Sequence, residues 1–114
     1  MRKVLVTGAN RGIGLELCRQ LSERGDEVTA VCRSPGKALG QLGLRVIDGI
    51  DVSDENSIRQ LQTQMGDSPI DWLINNAGIL TVESLGNLDF DAMERQFRVN
   101  ALGPLRVTAV SYTH

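Results

Sequence analysis

Short apolar runs alternate along the chain with longer stretches in which apolar residues recur every three or four positions. Lys3–Thr7, KVLVT, is a β-branched run that stops at Gly8, and Ile13, Leu17 and Leu21 then fall on one helical stripe that Gly25 closes. The order is strand, glycine turn, helix. Residues 27–32, EVTAVC, predict a second strand ending at Arg33-Ser34-Pro35-Gly36, and residues 44–50 predict a third. Ser53 or Asp54 can cap the next helix, whose Ile58, Leu61 and Met65 share a face before Gly66. Pro69 precedes a fourth strand at residues 70–74; a last helix begins near Asp89 or Asp91 and carries Met93, Phe97, Ala101, Leu105 and Val110. Strands apolar on both faces and separated by helices predict an α/β fold, a doubly wound parallel sheet of about four strands with helices on either side. No strand is predicted after the last helix.

Composition narrows the partners. A chain of 114 residues, 41% of them hydrophobic, is expected to build one domain over residues 1–114 with one modest core. Twelve lysines and arginines against 14 acids, a formal charge of -2, describe neither a nucleic-acid-backbone binder nor a membrane-surface helix. The start of the chain has no apolar leader, and no run is long enough to cross a bilayer. Cys18 and Cys32 lie in apolar segments and read as reduced, buried thiols of a cytoplasmic protein. No pair has metal-ligand spacing, so no metal is expected.

The turn Thr7-Gly8-Ala9-Asn10-Arg11-Gly12-Ile13-Gly14 has the spacing G-x-x-x-G-x-G between a strand and a helix. Glycines there let the backbone approach a pyrophosphate, while the N–H groups and positive dipole end of the helix attract its charge. Gly8, Asn10, Arg11, Gly12, Ile13 and Gly14 are therefore candidates for dinucleotide binding. Arg33 lies beyond the second strand, at the same edge of the sheet as Arg11. Sites for NAD usually place an acid at that corner for the ribose 2′-hydroxyl, but Cys32 and Arg33 stand there instead. Two guanidiniums suit a 2′-phosphate through charge-assisted, bidentate hydrogen bonds, so NADP(H) is expected over NAD(H).

Asp51-Val52 follows the third strand and Asn75-Asn76-Ala77-Gly78 the fourth, again at carboxyl ends of strands. With Asn100 further on, this ordered set strongly resembles the short-chain dehydrogenase/reductase family over essentially the whole chain. Residues 97–108, FRVNALGPLRVT, are similar to its carbonyl-reductase-like and C-factor-like branches. The resemblance implies a Rossmann fold and hydride transfer between a nicotinamide and a carbonyl or alcohol. Asp51 can accept a hydrogen bond from the adenine amine with Val52 as an apolar wall, or it can cap the next helix. Asn76, Ala77 and Gly78 let backbone pass close to the adenosine ribose. Pro104 has no N–H to give the carbonyl of Asn100, four residues earlier. In the family the corresponding asparagine marks a kinked helix, and its carbonyl holds a proton-relay water; Asn100 is thus the one catalytic-type residue implied here.

Family chemistry also needs a serine and a Tyr-x-x-x-Lys pair beyond a fifth strand. The chain's only tyrosine, Tyr112, stands with Ser111 and His114 directly after the last helical pattern, and no lysine follows it. Lys3 begins the first strand and Lys37 lies in the loop after the second. The expectation is a cofactor-binding half, incomplete at its C-terminal end and inactive alone, that meets a carbonyl or alcohol substrate only in a longer form. The exposed fourth strand and last helix then predict a homo-oligomer through that edge. The alternative is a non-catalytic NADP-binding or regulatory module.

Overall fold

The computed structural model describes residues 1–77 and 90–112. Four strands, β1 (Lys3–Thr7), β2 (Glu27–Val31), β3 (Arg45–Ile47) and β4 (Trp72–Ile74), form one parallel sheet in the order β3-β2-β1-β4. Leu5 sits between Thr29 and Leu73 in register. The helices are α1 (Gly12–Glu23), α2 (Lys37–Gln41), α3 (Glu55–Met65), α4 (Phe90–Phe97) and α5 (Gly103–Tyr112), with a π-helical turn, Arg98–Leu102, joining the last two.

Alternation along each strand divides the core into two layers. Val4, Val6, Val28 and Ala30 point to one face and meet Cys18 and Leu21 of α1 and Leu39 of α2. Leu5, Val31 and Ile47 point to the other, against Ile58, Leu61 and Met65 of α3 and Val107 of α5. Both faces are covered, which is why the strands read as continuous apolar runs. The first two crossovers run outward from β1 to β2 and β3, and the third returns to the far side of β1. Strand order thus reverses between β1 and β4, and the carboxyl ends of those strands part to leave a crevice.

Several sequence expectations change in detail. The short helix α2 replaces part of a predicted loop. The third strand is only Arg45–Ile47, because Asp48 and Gly49 turn the chain away, though Cys32 N–H to Ile47 and Ile50 N–H to Cys32 carry the ladder onward. Ile13 leaves the buried stripe of α1: it is 73% exposed, and Gly14, Cys18 and Leu21 are buried. In the last helical stretch Phe97, Ala101 and Leu105 face solvent while Val99, Gly103 and Val107 are buried, because the π turn adds a residue and shifts the phase of the face. The side chains of Met93 and Val110, and all of Asp89, lie outside the described residues.

Among the described residues β4 pairs only with β1, leaving its other side open. Trp72 on that strand is 42% exposed, and its ring lies 3.7 Å from the Arg2 guanidinium. No helix is long and apolar enough to cross a membrane, and no group of metal-ligating side chains occurs, among the described residues.

Candidate cofactor site

A cleft of about 740 Å³ opens at the carboxyl edge where strand order reverses. Its floor is the glycine turn, with Gly8, Asn10, Arg11, Gly12 and Ile13 lining it. Gly8 and Gly12 hold φ of +64° and +58°, a left-handed region costly for residues with a Cβ. These two bends bring the chain beneath the start of α1. Arg11 is the N-cap and gives no side-chain cap, and the first turn has no acid. The helix end therefore keeps its N–H donors and partial positive charge for an anion in the cleft.

Gly14 has a different place from the rest of its motif. It is buried behind the wall, where a Cβ would be driven into the Gly8 carbonyl oxygen and come within 2.5 Å of the Asn76 amide nitrogen. Its task is close packing of α1 on the turn. Thr7, buried at the end of β1, accepts hydrogen bonds on Oγ1 from the N–H groups of Asn76 and Ala77, both at 3.1 Å. Asn76 returns one from Nδ2 to the Gly8 carbonyl at 3.2 Å. The two strand ends flanking the crevice are thereby fastened together, and Asn76 and Ala77 line it. Gly78 lies outside the described residues.

The far wall comes from the ends of β2 and β3. Cys32, Arg33 and Ser34 line the cleft, and Asn10 Nδ2 donates to the Ser34 carbonyl at 3.2 Å, holding this loop over the glycine turn. Arg11 and Arg33 are thus both exposed on one cleft. Asp48 lies close enough to Cys32 for its charge, after burial, to push that thiol's pKa up, yet it does not line the cleft. Burial likewise holds the Cys18 thiol up to about 11.

Asp51 and Val52 complete the wall. Asp51 is not the helix cap: Asp54 is, accepting the Asn56 N–H on its side chain. Asp51 Oδ1 instead accepts the N–H and the hydroxyl of Ser53, at 2.9 and 2.6 Å. Burial pushes the Asp51 carboxyl pKa up, but the two Ser53 bonds and the charges of Arg33 and Arg95 outweigh it and hold the net value below the ordinary one. Asn100 is exposed on the π turn and does not line the cleft; its neighbour Val99 does. Tyr112 lies in the last turn of α5, with no strand between it and Asn100, and His114 is outside the described residues. Val31, Ser34, Ile50 and Val99 were not singled out by sequence. Ser34, Ile50 and Val99 each adjoin a flagged position, Arg33, Asp51 and Asn100, and Val31 lies two residues before Arg33.

The whole chain has recognisable relatives. Residues 2–114 match the family model described as short chain dehydrogenase. A 1-hydroxy-2-glutathionyl-2-methyl-3-butene dehydrogenase from Rhodococcus sp. is 37% identical over 108 residues, 93% of this chain and 48% of that protein. An L-xylulose reductase from Caenorhabditis elegans is 30% identical, over 93% of this chain and 45% of its own. Among solved structures, an NADPH-bound carbonyl reductase from chicken fatty liver superposes with a TM-score of 0.87 at 32% identity, covering 99% of this chain and 48% of that one. A 4-hydroxyisoleucine dehydrogenase complexed with NADH gives 0.86 at 27% identity, covering 99% and 49%. The chain spans about half the length of the curated relatives it matches.

Proposed function

The chain belongs to the short chain dehydrogenase family, and from that membership we propose that residues 1–114 are a Rossmann domain binding NADP(H) for an oxidoreductase acting on a carbonyl or alcohol. The observation that carries the choice of cofactor is the pair Arg11 and Arg33 on one cleft above the uncapped start of α1. Solved relatives hold NADPH or NADH, so membership alone does not choose between them. Two guanidiniums on one cleft support NADP(H), because a 2′-phosphate brings nearly two further negative charges.

The residues that line the cleft would share a dinucleotide among them. The Gly8–Gly14 segment and the α1 N–H groups would hold the pyrophosphate, with Asn10 and Ile13 shaping the turn. Arg11 and Arg33 would take the 2′-phosphate, and Asp51 would accept from the adenine amine beside Val52. Asn76, Ala77 and Gly78 would flank the adenosine ribose. When bound, the nicotinamide supplies or accepts the hydride. Asn100, on the π turn beside the cleft-lining Val99, is the position that would correspond to the family's proton-relay asparagine. Within residues 1–114 the one tyrosine follows Asn100 in the same helical stretch, so these residues by themselves are expected to bind NADPH without turning over a carbonyl. Among the described residues β4 is paired on one side only and Phe97 and Leu105 are exposed, which supports self-association through that edge.

Fluorescence titration with NADPH and NADH tests the cofactor assignment. NADPH is expected to bind at least about tenfold more tightly, the scale of one charge-assisted bidentate pair. Equal dissociation constants would sink it.

A further inference from the structure

One hydrogen-bonded path links α5 to the cleft. Arg106, half-buried on α5, donates from Nη1 to the Ser53 carbonyl at 3.0 Å. Ser53 donates both its N–H and its hydroxyl to the same carboxylate oxygen of Asp51. The turn is closed by the Asp54 N–H to the Asp51 carbonyl at 3.0 Å. Beside it Gly103 packs so tightly on Val52 that a Cβ would lie 2.8 Å from Val52 Cγ2. The consequence lies in the geometry of Asp51. Its Oδ1 is occupied by two donors, and no donor among the described residues reaches Oδ2.

We infer that Arg106 and Ser53 are positioning residues for purine selection: they hold the 51–53 turn so that Oδ2 of Asp51 alone is left to accept a hydrogen bond from the exocyclic amine of adenine. This rests on the proposed NADP(H) site. Without the Ser53 bonds the carboxylate can rotate, and without Arg106 the turn loses the side chain that ties it to α5. A carboxylate that only accepts prefers adenine, whose C6 bears an amine, over hypoxanthine, whose C6 bears an oxygen that also only accepts. Selection needs that oxygen fixed in place, since a misplaced acceptor discriminates poorly.

The test is a set of dissociation constants for NADPH, for its reduced hypoxanthine analogue and for NADH, measured by fluorescence on the wild type and on S53A, R106M and R106K. The wild type should prefer adenine over hypoxanthine by about tenfold, the scale of one hydrogen bond to a charged group. S53A and R106M should reduce that preference to about twofold while leaving the preference for NADPH over NADH in place, and R106K should restore most of it. D51N gives the sign: an amide nitrogen in place of Oδ2 becomes a donor, and the preference should turn toward hypoxanthine.

Full purine selectivity in a folded R106M and S53A would overturn the inference, as would a wild type indifferent to the base. Either result would leave the 2′-phosphate assignment standing. A wild type that binds no NADPH would remove both. Should R106M fail to fold, S53A decides alone, because it deletes one hydroxyl and leaves the α5 contact in place.

Discussion

Thr7 Oγ1 accepts the N–H of Asn76 at 3.1 Å across the crevice between β1 and β4, and the N–H of Ala77 at the same distance. One buried hydroxyl thus holds together the two strand ends whose separation makes the cleft. Thr7→Val keeps the shape and removes the acceptor, stranding two partly buried donors. The expected loss is about 2 kcal/mol in urea unfolding, within the range for unsatisfied buried groups. NADPH affinity should fall with it. Thr7→Ser should retain both, and a valine variant as stable as the wild type would show that the hydroxyl does not fasten the strands.

Gly14 and Gly12 separate two reasons for glycine in one motif. Alanine at Gly14 drives a Cβ into the Gly8 carbonyl, so α1 must move, at a cost of roughly 1–3 kcal/mol for overpacking. Alanine at Gly12 meets nothing within 4 Å but must hold φ of +58°, which costs about 1 kcal/mol. Gly14→Ala is therefore the more destabilising in thermal unfolding. The reverse order would contradict the packing described for Gly14.

Most of the framework was legible because parallel strands buried on both faces leave unbroken apolar runs, and glycine or aspartate marks their ends. The short helix α2 was not, since KALGQ buries only Leu39 and carries a glycine in mid-helix. The phase of the last helix was misread because a π turn leaves no periodic signal: Pro104 announced a disturbance near Asn100, but not that Val99 and Val107 would turn inward. In the site, the strand-end motifs pointed to the cleft directly. The division of labour between Asp51 and Asp54 could not be read, because two aspartates three residues apart can each cap a helix and only the turn geometry assigns one.

Arg33→Asp reverses the charge at the corner where a 2′-phosphate is expected. The side chain is exposed, so the fold should be retained. Affinity for NADPH should drop by at least about tenfold while NADH binding holds or improves, because a carboxylate can accept from a 2′-hydroxyl but repels a phosphate. An unchanged ratio of the two dissociation constants would remove Arg33 from cofactor selection.

Both thiols should resist modification in the native protein. Cys18 and Cys32 are buried, and burial raises both pKa values, to about 11 for Cys18. Because the neutral thiol is the favoured folded form, this contribution to stability is fully present below the ordinary thiol value and is lost as pH rises through the raised one. A thiol-specific disulfide reagent at pH 8 should react with neither cysteine until denaturant is added. Rapid native reaction at Cys32 would mean that the cleft wall opens.

Asp51 offers the opposite sign. Its carboxyl is held below the ordinary aspartate range despite burial, by the two Ser53 bonds and the Arg33 and Arg95 charges. The ionised form is favoured on folding, so its stabilisation is present above the ordinary value of about 3.9 and is lost as pH falls through the lowered one. Carboxyl titration by NMR should therefore find Asp51 ionised where exposed aspartates are half protonated. Ser53→Ala deletes the strongest of the influences that lower it and leaves burial in place, so the value should rise toward or above the ordinary one. A wild-type Asp51 titrating above 3.9, or one unmoved by Ser53→Ala, would mean that Ser53 does not hold the carboxylate in its charged form.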